Sequence, residues 1–306
     1  MKMDAKFSVN SIPALHGKTA IVTGANSGLG FEISRTLANH GARVIMACRS
    51  EAKGAQAAAL IHQENHNDDI QVVGLDLADL KSIDRFSEEI LASEEHIDFL
   101  FNNAGLMAIN EKRTVDGFEM QFGVNHLGHF ALTANLIDRI LATPNSRIIS
   151  MSSAAHRKGA MHFDDLMYEN HNYSRWGAYA QSKLAILLFT AELNRRLPGS
   201  STTLALAAHP GVAKTKLGQN GGGIIGIGFQ LTAPLIAHSA LKGALPTLFA
   251  AFDPEAKGGD FFGPRYGVFG SPALETPSAA ARNMEDAKRF WEASERLTKK
   301  EFLPLI

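Results

Sequence analysis

The stretch that most constrains this chain is a short strand signal running straight into a glycine turn. Thr19 to Thr23 (TAIVT) is apolar and partly β-branched, as a buried strand requires. Gly24-Ala-Asn-Ser-Gly28-Leu-Gly30 follows, and Phe31 to His40 then repeat with helical periodicity. A strand, a glycine turn and a helix start form a cradle for a pyrophosphate. The glycines permit tight backbone geometry, and the helix start offers free N–H groups at the positive end of its dipole. The spacing is G-x-x-x-G-x-G rather than G-x-G-x-x-G. A glycine turn alone can be purely structural; between a strand and a helix, dinucleotide binding is the better reading.

The pattern then repeats. Arg43 to Ala47 reads as a second strand with Cys48-Arg49-Ser50 just past its end, and Glu51 to Asn65 as a helix. Ile70 to Leu75 is a third strand ending at Asp76, and Asp79 caps a helix to about Ser93. Ile97 to Phe101 is a fourth, landing on Asn102-Asn103-Ala104-Gly105, and Arg147 to Met151 a fifth, followed by Ser152-Ser153. Strands alternating with helices predict an α/β fold, a Rossmann-like doubly wound parallel sheet with helices on both faces. Ligands of such sheets bind at the carboxyl ends of the strands, where Asp76, Asn103, Gly105 and Ser153 fall. At the end of the second strand a dinucleotide fold reads the adenosine ribose: an acid suits a 2′-hydroxyl and an arginine a 2′-phosphate. Arg49 stands there without an acid, which points to NADP(H).

A helix is expected from Gly177 to Leu197, with Leu184, Leu187, Leu188 and Ala191 as its core stripe. It opens on Tyr179-Ala-Gln-Ser-Lys183, whose i, i+4 spacing puts the phenol and the ammonium on one face. A phenol titrates near about 10; a lysine charge beside it favours the phenolate and suits it to acid/base work. Taken alone, the pair also fits an exposed helix surface. A long helix, roughly Phe118 to Ala142, carries Asn125, an amide unfavourable in a helix interior unless it has a task. His126 and His129 share that helix and lack a third ligand of suitable spacing, so they read as core or surface histidines and no metal site is expected. Ser153 has no G-x-S-x-G context and reads as a hydrogen-bond donor, not a nucleophile.

Composition removes other classes. Hydrophobic residues make up 45% and charged residues 20% of 306, with a formal net charge of −1, so there is no basic footprint for nucleic acid. Cys48 is the only cysteine, which rules out an intrachain disulfide and suits a cytoplasmic location. Residues 1–16 lack an apolar signal core and are expected to form a short arm before one domain, 17–306. Leu217 to Leu241 carries no Lys, Arg, Asp or Glu, yet its glycines and amides make it a poor membrane span. It is expected to be an apolar flap over a pocket or an interface helix. Monomer and homodimer both fit the sequence.

In order along the chain, TGANSGLG, NNAG, Asn125, Ser153, YAQSK and His209-Pro210-Gly211 resemble the motifs of the short-chain dehydrogenase/reductase superfamily, from about Gly17 to at least Thr215. VIMACRS, SSAAHRKG and GALPTLFAAFDPEAKGGDFFGP look most like its retinol-dehydrogenase and WW-domain-oxidoreductase-like branch, which is also similar to protochlorophyllide reductase. The resemblance implies that Tyr179 is the acid/base and that Lys183 holds the nicotinamide ribose while lowering the phenol. It implies that Ser153 bonds the substrate oxygen and that Asn125 supports a relay water. Gly24, Asn26, Ser27, Gly28, Leu29 and Gly30 would hold the phosphates, and Asp76 and Leu77 would lie near the adenine. Asn103, Ala104 and Gly105 would run along the adenosine, Pro210, Gly211 and Val212 along the nicotinamide, and Thr215 would sit near the phosphates or amide. Ser27 stands where many NADP-binding relatives have a second basic residue, leaving Arg49 as the main indicator. The segment 156–178, with His162, Phe163, Tyr168, Tyr173 and Trp176, is expected at the pocket mouth. The expected activity is NADP(H)-dependent hydride transfer on an alcohol/carbonyl pair, with a bulky hydrophobic ketone or aldehyde as the small-molecule partner. Reduction of an activated C=C bond and NADP(H) sensing without turnover are the alternatives.

Overall fold

Every residue of the first strand, β1 (Thr19–Thr23), is buried, as expected of a strand covered on both sheet faces. The computed structural model describes residues 7–211 and 239–302. Seven more strands join β1: β2 (Arg43–Cys48), β3 (Ile70–Gly74), β4 (Phe99–Asn102), β5 (Arg147–Met151), β6 (Leu204–Ala208), β7 (Phe261–Pro264) and β8 (Pro272–Glu275). Their order is β3-β2-β1-β4-β5-β6-β7-β8. All neighbours are parallel except β7 and β8. The α/β doubly wound expectation is met, and the chain reverses direction across the sheet between β1 and β4, the switch point where such folds bind ligands.

Side-chain alternation along β1 divides the core. Ala20 and Val22 face α1 (Gly28–Asn39) and α2 (Glu51–Asn65), while Ile21 faces α3 (Leu80–Ser93) on the other side. Helix α1 presents Leu29, Ile33 and Leu37, spaced by four, as its buried stripe. Asp79 caps α3 by accepting from the Lys81 N–H at 2.9 Å. The entry of β1 is fixed by buried Asp98, which accepts from Thr19 N–H at 2.9 Å and Lys18 Nζ at 2.8 Å. The arm is less detached than expected: Ile12 and Leu15 are buried and Phe7 packs on Phe249.

The helix expected over 118–142 is broken. It comprises a short turn, α4 (Met120–Phe122), a π-helical turn over Gly123–Leu127, and α5 (Gly128–Leu141). Glu119, wholly buried, caps the start by accepting from Gln121 and Phe122 N–H. Two glycines bracket the π turn for a steric reason. A Cβ on Gly123 would stand 2.5 Å from Thr114 Cγ2, and one on Gly128 2.5 Å from the Leu77 carbonyl. Such a turn re-aims the side chains it carries, here Asn125 and His126. His126 sits among Phe122, Phe130, Phe189 and Phe290 and hydrogen-bonds Ser294 Oγ at 3.0 Å. Burial drives it down to about 3, so it is a neutral core residue.

Helix α6 (Arg175–Arg196) starts two residues before the sequence expectation, with Ser174 accepting from the Gly177 N–H. It is flanked by α5 and by α8 (Met284–Thr298), whose Phe290, Trp291 and Ser294 are buried as the amphipathic pattern predicts. Helix α7 (Ala240–Phe252) lies against α1 on the other face. The apolar flap, 217–241, lies outside the described residues except for its last three. Among the described residues no helix is long and apolar enough to cross a membrane.

Candidate active site

The carboxyl ends of β1, β2, β4 and β5 open onto one cleft of about 970 Å³. Its first wall is the glycine turn. Gly24 and Gly28 have φ of +66° and +59°, backbone that favours glycine. A Cβ on Gly30 would lie 2.4 Å from the Gly24 carbonyl and 2.6 Å from Asn103 Nδ2, so α1 can approach β4 this closely only with glycine there. Ser27, the N-cap of α1, makes no capping bond with its side chain, which leaves the helix start to an anion. Asn26, Ser27, Gly28 and Leu29 line this end, with Arg49 exposed at the end of β2 and Asp76 and Leu77 beyond β3. Asp76 Oδ1 closes its own turn on the Ala78 N–H at 2.9 Å.

Asn103, Ala104 and Gly105 line the middle. They are held by Thr23, whose hydroxyl accepts from the N–H of Asn103 and of Ala104, each at 2.9 Å. The Asn103 amide donates to the Thr23 carbonyl at 2.8 Å, while its Oδ1 is buried without a partner. A cradle that any Cβ would fill, an uncapped helix start and an orphaned amide oxygen together fit a dinucleotide.

The far wall brings together Tyr179, Lys183 and Ser153. Tyr179 and Lys183, both buried on α6, line the cleft with Ser153 at the end of β5. Lys183 Nζ donates to the Met151 carbonyl at 2.7 Å and stands 5.8 Å from the Tyr179 ring centre. Ser153 Oγ accepts from the Ala155 N–H at 3.2 Å. Burial pushes the Tyr179 phenol above its ordinary value, with Ser153 working against it. Burial also drives the Lys183 amine down to about 7. The expected lowering of the phenol by lysine is therefore outweighed by desolvation of both groups in the protein alone.

Asn125 sits behind the wall and not in it. Its amide ties two elements: Nδ2 donates to Ser182 Oγ at 2.9 Å and to the Leu106 carbonyl at 3.0 Å, and Oδ1 accepts from the Leu106 N–H at 2.7 Å. His129 was legible only as a core histidine. Its Nδ1–H donates to the Asn125 carbonyl at 3.1 Å, so Nε2 is the bare nitrogen facing Thr23 Oγ1 at 2.9 Å. Burial holds it down to about 4, and it joins the π turn to β1 as a neutral bridge. Thr23, Ser182 and His129 were missed as site residues; the adjacency of Thr23 to Gly24, and of Ser182 to Lys183, was the only signal.

Pro210 and Gly211 close the cleft, whereas Val212 and Thr215 lie outside the described residues. Of the aromatics expected at the mouth, only Trp176 lines the cleft, edge-on to Tyr179 at 6.0 Å. Tyr173 instead turns inward to donate to Glu119 Oε1 at 2.9 Å, and Tyr168 packs on it and on His162. Phe163 lies beneath Arg289. Tyr173 and Tyr168 thus brace the start of the helix bearing Asn125.

Known proteins match this arrangement. The family model for the short chain dehydrogenase matches residues 18–222. The chain belongs to that family, and is an NAD(P)-dependent oxidoreductase acting on the alcohol or carbonyl group of a small molecule. Within the family it falls in the retinol-dehydrogenase-like branch. It is 46% identical over 286 residues to human retinol dehydrogenase 13, covering 92% of this chain and 84% of the relative. It is 42% identical over 281 residues to human retinol dehydrogenase 12, covering 92% and 86%. A solved but uncharacterized protein from Mycobacterium Paratuberculosis superposes with a TM-score of 0.82 at 41% identity, over 97% of this chain and 99% of that one. A short chain dehydrogenase from Shigella flexneri solved with NADP shares the fold, with a TM-score of 0.66 at 23% identity, over 82% and 98%.

The buried lysine yields a measurable consequence. Its folded value, about 7, lies below the ordinary 10.5, so above pH 7 the unfolded chain holds a proton the folded chain lacks. Stability should then rise with pH between 7 and 9, by up to about 1.4 kcal/mol per unit. Urea unfolding at several pH values should show this slope in the wild type and its loss in Lys183→Met; an unchanged slope in the variant would contradict the assignment.

Proposed function

We propose that this protein catalyses NADP(H)-dependent hydride transfer on an alcohol/carbonyl pair, with Tyr179 as the proton donor or acceptor. The observation that carries the reading is the convergence of Tyr179, Ser153 and Lys183 on the wall facing the glycine cradle. When bound, the nicotinamide supplies or accepts the hydride; the protein holds the partners and moves the proton. In reduction, Tyr179 Oη protonates the substrate oxygen while Ser153 Oγ bonds it, and oxidation runs the reverse. Lys183 would hold the nicotinamide ribose and bring its charge near the phenol. Asn125, whose side-chain amide is tied to Ser182 and Leu106, supports a water of the proton relay. The complete set favours turnover over sensing, which has no need of a proton path.

Arg49, exposed at the end of β2 with no acid beside it, supports NADP(H) over NAD(H) as the cofactor. The substrate end is walled by Leu106, Met107, Ala155, Trp176 and Val268, which favours a bulky hydrophobic ketone or aldehyde over a sugar or a small acid. The retinol named in the relatives is an apolar alcohol of that kind.

Tyr179→Phe keeps the ring and removes the proton carrier. Single-turnover hydride transfer at saturating cofactor should fall by about 10² to 10⁴ with cofactor binding retained; a folded variant within a few-fold of wild type would refute the role. Arg49→Asp should raise KM for NADPH by about one to two orders of magnitude, from a charge-assisted bond of roughly 1.5–3 kcal/mol, and spare NADH. A wild type that prefers NADH would overturn that reading. Along a ketone series, each added methylene should improve binding by up to about 0.8 kcal/mol until the pocket is full; a steady fall in kcat/KM with chain length would argue for a small polar substrate.

A further inference from the structure

The antiparallel edge of the sheet reaches both walls of the catalytic end through one carboxylate. Glu275 is the last residue of β8, opposite Phe261 of β7, and its side chain is 14% exposed. Its Oε1 faces His209 Nε2 at 2.8 Å. Its Oε2 accepts from Arg157 Nη2 at 3.3 Å, and the same nitrogen donates to the Thr276 carbonyl at 3.1 Å. Burial acts to raise the Glu275 carboxyl, but His209 and Arg157 together hold it below its ordinary value.

The other nitrogen of His209 settles its tautomer. Nδ1 accepts from the Gly211 N–H at 3.2 Å, so Nε2 carries the proton and donates it to Glu275. Gly211, at φ +67°, adjoins Pro210 on the cleft wall, and a Cβ there would stand 2.4 Å from the Val268 carbonyl. The space for the pair is built in as well. A Cβ on Gly263 would lie 2.1 Å from His209 Nε2 and 2.2 Å from Glu275 Oε1. On the opposite wall His156 has the reverse tautomer, donating from Nδ1 to the Ser153 carbonyl at 2.7 Å and accepting at Nε2 from the Ser278 N–H at 3.2 Å. Phe261 lies between the two rings, 5.2 Å from each, stacked on His209 and edge-on to His156.

We propose that Glu275 is a positioning residue, holding His209 as its Nε2–H tautomer so that Nδ1 fixes the Pro210–Gly211 backbone at a set separation from Ser153. The proposal rests on the reading of Ser153 and Tyr179 as the catalytic pair. Without the carboxylate, His209 is free to protonate at Nδ1, which would point a donor at the Gly211 N–H. The Pro210–Gly211 wall then shifts, while the glycine cradle at the other end of the cleft keeps its grip on the cofactor.

The test compares Glu275→Leu, which removes the acceptor, with Glu275→Gln, whose amide oxygen still accepts from His209. Glu275→Leu should lose about 10²-fold in the single-turnover rate, the scale set by a misplacement near 1 Å, with the Kd for NADPH within a few-fold of wild type. Glu275→Gln should keep most of the rate. A full rate in Glu275→Leu, or equal loss in both variants, would overturn the proposal. Imidazole ¹⁵N shifts give a readout independent of turnover. His209 should be Nε2–H in the wild type and mixed in Glu275→Leu; an unchanged tautomer refutes the proposal even if the reading of Tyr179 fails. Should Glu275→Leu not fold, His209→Asn, which keeps an acceptor near the Gly211 N–H, should turn over at least about tenfold faster than His209→Leu. Equal rates would refute it.

Discussion

One hydroxyl, that of Thr23, joins the parts on which the cleft depends. It ends β1, precedes Gly24, accepts from the backbone of Asn103 and Ala104, and meets His129 of the helix that carries Asn125. Two N–H donors occupy its lone pairs, so its own proton is directed to His129 Nε2 or to the Phe101 carbonyl. A valine of similar shape would leave the Ala104 N–H without this acceptor, at a cost of about 1–3 kcal/mol, and the Asn103 N–H with only its bond to the Phe101 carbonyl. The cradle, the strand facing it and the π turn are thus fixed relative to one another by a side chain that does no chemistry. The glycines are needed because this network draws the backbones together, to the point where Gly30 has no room for a methyl group.

Much of this was legible in the sequence, because the informative contacts are local. Strand β1 was located to the residue by its β-branched run, and helix α2 by its boundaries at Glu51 and Asn65. Asp79 was recognisable as a cap because its partner is two residues away. The positions of Ser153, Tyr179 and Lys183 could be brought together only through the resemblance. No spacing rule joins the end of β5 to a helix that begins more than twenty residues later, and the contact is made by the sheet.

The misreadings have a common cause. The π turn left no mark in the helical period, since Gly123 and Gly128 are explained by contacts with Thr114 and Leu77, residues outside the helix. Tyr173 looks like a pocket aromatic by composition, and only the buried Glu119 and Gln121 turn it inward. Strands β7 and β8 are four residues each, β7 with a glycine and a proline and β8 with a proline, so they give no strand signal, although β8 supplies the carboxylate that meets His209.

Desolvation sets the balance at the end of the cleft lined by Tyr179 and Lys183. Burial raises the Tyr179 phenol and lowers the Lys183 amine, so both forces act toward an uncharged pair. The single carbonyl holding Lys183, that of Met151, is a weak counterpart for a buried ammonium. Any ligand that brings hydroxyl or phosphate oxygens to that nitrogen favours its charged form. By linkage, the protonated lysine then holds such a ligand more tightly than the neutral one does. In so dry a site the same charge acts on the phenol with little screening. The burial that biases the pair toward its uncharged form in the protein alone is therefore what makes it responsive to a bound cofactor.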